Sequence, residues 1–89
     1  MSEWVFDWWI RIAWWTPEAR AFRAERRYRA AVIACVWQLS QAPAVDVEDA
    51  VDEAFLALHR CYCRGRRVQN VRLWTMRYAL TIVDRTLVK

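Results

Sequence analysis

Eighty-nine residues, 57% hydrophobic and 27% charged, make one domain with its own core and exclude a disordered chain. One glycine and two prolines leave too little turn chemistry for many short strands, so helices joined by few loops are expected. The net charge of +4 is unevenly spread: residues 41–60 carry five acids against Arg60, whereas residues 61–89 carry six arginines and Lys89 against Asp84. An acidic segment followed by a basic one implies two surfaces of opposite sign.

Four helices are predicted. The first spans residues 3–15 and holds five of the seven tryptophans, in "WVFDWWIRIAWW". Val5, Trp8, Trp9, Ile12 and Trp15 cover one broad side of it, and Glu3, Asp7 and Arg11 the other. Trp14 projects back towards the charged face, so Trp4 and Trp14 are the protein-interface candidates of this segment. Its polar face is net acidic, unlike that of membrane-surface helices, and no membrane partner is expected.

"TPEA" at 16–19 marks a second start, with Thr16 as cap, Pro17 in the first helical position and Glu18 at the positive helix end. This helix runs to about Gln41, with "RAERRYR" as a solvated basic face and Val32, Cys35, Val36 and Leu39 towards the core. "QAPA" (41–44) breaks it, and Asp46 is expected to cap the third helix. There Val47, Ala50, Val51, Ala54, Phe55 and Leu58 form one apolar stripe, leaving five acids on the remaining faces. "CYCRGRRVQ" (61–69) reads as a loop around Gly65, after which Asn70 caps a last helix with Leu73, Met76, Leu80, Val83 and Leu87 as its stripe. Residues 1–16 are thus a tryptophan-rich leading helix, and residues 17–89 complete one compact domain.

Little here suggests catalysis. His59 is the single histidine, and no Ser/His/Asp set or glycine-rich phosphate loop occurs, so an enzyme is not expected. His59, Cys61 and Cys63 are spaced by two, with Cys35 elsewhere; this is not a familiar zinc-knuckle spacing, and neither metal nor cofactor is expected. Three cysteines are not a disulfide framework, and no apolar run approaches the ~20 residues that span a bilayer. With no basic, cleavable start, the chain is expected in a reducing cytoplasm. The basic end is more informative. Arginines contact phosphates and exposed aromatics stack on unpaired bases, a combination offered by Arg64, Arg66, Arg67, Arg77, Tyr62, Trp74 and Tyr78. The same aromatics also suit a core with arginines at its rim, and on charge pattern alone both readings stand.

"DVEDAVDEAFLALHR" (46–60), a basic loop and "NVRLWTMRYALTIVDR" (70–85), preceded by "RRYRAAV" (26–32), together resemble the second conserved region of bacterial RNA polymerase sigma factors, most closely the extracytoplasmic-function group. The resemblance covers roughly residues 17–88 and implies a small all-α, four-helix bundle. It implies that Asp49, Asp52, Glu53, Leu56 and Arg60 dock on the clamp coiled coil of the polymerase core. It also implies that Tyr62, Arg64, Arg66 and Arg67 line a loop that captures a base of the promoter −10 element. Arg72, Trp74, Arg77 and Tyr78 would contact the same DNA. The chain departs from the family pattern at Asp52, His59 and Thr81, where glutamine, tryptophan and asparagine are usual. It reaches Lys89 without the usual second domain that reads the −35 element. Two expectations follow: half of a split sigma factor, whose −35 reader is a second protein, or a sigma mimic that binds polymerase or a regulator without promoter recognition.

Overall fold

Three helices dominate residues 16–87, the part of the chain that the structure, a computed structural model, describes. They are α1 (Pro17–Ser40), α2 (Ala44–Cys63) and α3 (Val71–Leu87), and each packs against the other two. No strand occurs among the described residues, as the all-α expectation requires. The count of four helices is not matched: three are described, and the expected leading helix, with Trp4 and Trp14, lies outside the described residues. No helix among the described residues is long and apolar enough to cross a membrane.

Local chemistry sets the helix ends. The Thr16 hydroxyl accepts a hydrogen bond from the Ala19 N–H at 3.1 Å, and Pro17 occupies the first turn of α1. At the other end the Ser40 hydroxyl donates to the Val36 carbonyl at 2.6 Å and accepts from the Ala42 N–H at 3.3 Å. Gln41 then takes the left-handed conformation, φ 54°, which stops the helix before Pro43.

α2 begins two residues before the expected cap. Pro43 holds the cap position, and Asp46 lies within the first turn, where its charge meets the positive end of the helix. α2 also runs further than expected, through Cys63. Gly65, at φ 74°, sends its N–H to the Tyr62 carbonyl at 3.0 Å, and the Arg66 N–H reaches the Cys61 carbonyl at 2.9 Å. This is a Schellman motif with its glycine in the usual place. Cys61, Tyr62 and Cys63 are therefore helical, and the loop shortens to residues 64–70. Asn70 caps α3 as expected, its Oδ1 accepting from the Leu73 N–H at 3.1 Å.

The whole predicted stripe of α2 is buried, from Val47 to Leu58. Val32 and Val36 of α1 and Ala79 and Val83 of α3 close over it. Two expectations fail. Leu39 is 66% exposed, because Val36 and Ala42 already close that end of the core. On α3 the fully covered line is Thr75, Ala79 and Val83, while Leu73 faces outwards. Thr75 tolerates full burial because its hydroxyl donates to the Val71 carbonyl at 2.7 Å, leaving a β-branched apolar surface for packing.

Leu58→Ala should lower unfolding stability by about 2–5 kcal/mol. Leu56→Ala, on the exposed side of the same helix, should change it by no more than about 0.5 kcal/mol. Denaturant titration of both variants checks the orientation of α2; equal losses would contradict it.

Candidate nucleic-acid and protein interfaces

The Schellman turn drops the loop into a position between α1 and α3. Arg66 and Arg67 consequently line two grooves, one on each side. The groove towards α1, about 940 Å³, is completed by Tyr62, Tyr28 and the α1 arginines Arg20, Arg23, Arg26 and Arg27. The groove towards α3, about 620 Å³, is completed by Asn70, Leu73, Trp74, Arg77 and Tyr78, among others. Of the residues expected to contact DNA, six therefore line these grooves: Tyr62, Arg66, Arg67, Trp74, Arg77 and Tyr78. Arg64 and Arg72 are exposed but line neither.

The aromatics divide their duties. Trp74 is half-buried and packs against the core, so it is not a free stacking platform. Tyr78, one turn on and 37% exposed, stacks on it with ring centroids 5.4 Å apart and planes at 22°. Tyr62, in the last turn of α2, is half-buried against the core; burial raises its phenol pKa, with Arg20 and Arg23 pulling the other way.

The α1 side of this surface comes from "RAERRYR" and the residues before it, expected only as a solvated face. The usable signal was the spacing of Arg20, Arg23 and Arg27, which places three arginines on one stripe of a helix. Arg27 also lies over the Tyr28 ring, its Cζ 5.3 Å from the centroid.

The acidic side of α2 is a second surface. Asp49, Glu53, Leu56 and Arg60 fall at helical spacing on one face, and all four are exposed. Asp52 has a different duty. Its Oδ1 accepts from Arg29 Nε at 3.1 Å and from Nη2 at 2.9 Å, tying α2 to α1. Both partners are well exposed, so the pair contributes only about 0–1 kcal/mol. Beside it, Phe22 (62% exposed) and Leu56 (56%) wall a shallow groove between α1 and α2.

No protein-family model, curated protein or solved structure matches this chain.

The environment of Tyr62 has a consequence at high pH. The folded state favours the neutral phenol, so this contribution to stability is complete below pH 10.0 and is lost as pH rises through the raised pKa. Stability should therefore fall more steeply above pH 10.0 in the parent than in Tyr62→Phe. Parallel pH profiles for the two proteins would show that Tyr62 is not sheltered.

Proposed function

We propose that the chain is a sigma-like transcription protein in which α2 joins two binding surfaces. Its outer face, with Asp49, Glu53, Leu56 and Arg60, docks on the clamp coiled coil of RNA polymerase. The arginine-lined grooves at its C-terminal end hold the unpaired strand of a −10 element. This is a binding role in the cytoplasm, with no covalent chemistry.

The observation that carries the reading is the separation of charge along one helix. The acids of α2 face outwards, and the helix ends in a turn whose Arg66 and Arg67 line grooves on both sides. That order of surfaces is the one implied by the resemblance of residues 46–85 to the second region of sigma factors. The chemistry is consistent with it. Arginines replace the counterions of a phosphate backbone. The exposed Tyr78 ring offers a stacking face, worth roughly 1–3 kcal/mol per base. Such contacts offset the few kcal/mol needed to take a base out of its stack.

The exposed Phe22 and Leu56 favour a second reading, a sigma mimic that binds polymerase or a regulator without reading DNA. Apolar anchors of this kind suit a protein partner better than a phosphate backbone.

Binding of a single-stranded −10 oligonucleotide, followed by anisotropy across a salt series, separates the two. The first reading predicts salt-dependent binding that Tyr78→Ala weakens by about 5- to 150-fold. The double change Arg66→Ala, Arg67→Ala should reduce the salt slope by about 1.4, the share of two phosphates on a single strand. Polymerase binding with no measurable oligonucleotide binding would favour the mimic and overturn the first reading.

A further inference from the structure

One cluster of side chains lies at the groove between α1 and α2 that Phe22 and Leu56 wall, and neither the arginine-lined grooves nor the acidic face of α2 uses it. His59 and Cys63 stand one turn apart on the same face of α2, and Glu18 meets them from the first turn of α1. One ligand atom from each lies within 4.8 Å of the other two. His59 Nε2 is buried and has no hydrogen-bond partner. Its nearest charged neighbour, Glu18 Oε1, is 3.7 Å away, beyond hydrogen-bonding reach. A ring nitrogen withdrawn from water and left unsatisfied calls for a partner.

We propose that Glu18, His59 and Cys63 form a binding site for a zinc-type divalent ion. The donor set is one thiolate sulfur, one imidazole nitrogen and one carboxylate oxygen. This mixture suits zinc and disfavours magnesium or calcium, which take oxygen ligands. Around a tetrahedral ion with zinc–sulfur near 2.3 Å and zinc–nitrogen or zinc–oxygen near 2.0 Å, donor atoms stand roughly 3.3–3.6 Å apart. The cluster therefore closes by about 1 Å at its widest to reach that geometry. Glu18 and Cys63 are both exposed, so their rotamers can make the adjustment, while the half-buried His59 stays in place. Three protein ligands leave the fourth position to water.

Cys61 and Cys35, which the spacing of residues 59–63 brings to mind, are not members of this cluster. The site depends on the packing of α1 on α2 rather than on a local motif. It would pin the start of α1 to the end of α2, next to the turn that carries Arg64 and Arg66. This inference does not rest on the transcription role and stands or falls separately.

Titration of the metal-free 89-residue chain with cobalt(II) under reducing conditions tests it. Cobalt should bind one per chain, with a thiolate-to-cobalt charge-transfer band and the strong visible bands of four-coordinate cobalt, both removed by zinc. Cys63→Ser should abolish the charge-transfer band, and Glu18→Gln should weaken cobalt binding at least tenfold. Both positions are exposed, and unchanged helical circular dichroism will show that the variants fold. Cys61→Ser and Cys35→Ser should leave the spectrum intact. Absence of a thiolate band in the parent, its persistence in Cys63→Ser, or its loss in Cys61→Ser or Cys35→Ser would overturn the proposal.

Discussion

The bundle depends on one constraint: α2 must bury its apolar stripe against α1 and α3 at the same time. Val47, Ala50, Val51, Ala54, Phe55 and Leu58 are all buried, and four of the seven largest fully buried side chains, Val32, Val36, Thr75 and Val83, lie on the other two helices. Burying a side chain the size of valine, leucine or phenylalanine contributes roughly 1.5–3 kcal/mol. The stripe contains alanines as well as large residues, so its neighbours can approach closely and Ala24 and Ala79 fill the space between them. A domain this small has one such core and no reserve beyond it.

That constraint also arranges the surface. Once the stripe faces inwards, the acids of α2 have only outward directions to take. Asp52 is the exception in function though not in exposure, since it returns to Arg29 and helps fix α1 across α2. Gly65 then ends the helix by a left-handed turn, and the arginines that follow are delivered between α1 and α3. The opposite charges of neighbouring segments thereby become separate surfaces of one small bundle. Had α2 stopped at Arg60, Tyr62 would not hold its half-buried place against the core and Arg66 would not line both grooves.

Much of this was legible in the sequence, wherever the signal is local. All six α2 residues that the 3.6-residue period selects are buried, with Ala57 covered in addition, and Thr16 and Asn70 announced their helices by capping chemistry that the structure reproduces. The errors have physical reasons. Gly65 looked like the middle of a loop, yet a Schellman motif places its glycine just past the last helical residue. Thr75 carries a hydroxyl, and its bond to the Val71 carbonyl makes it fit for a core where Leu73 was expected. The arginines of α1 and the meeting of Glu18 with His59 arise from tertiary packing between segments far apart in the chain, and no local pattern carries that information.

The central claim is that one helix serves two partners through separate surfaces. The most direct test is equilibrium sedimentation of the chain with core RNA polymerase and a labelled single-stranded −10 oligonucleotide together. The account predicts a ternary complex, with Asp49→Arg and Glu53→Arg releasing the polymerase while the oligonucleotide remains bound to the chain. Mutual exclusion of polymerase and oligonucleotide, or loss of both on changing the α2 acids, would contradict it.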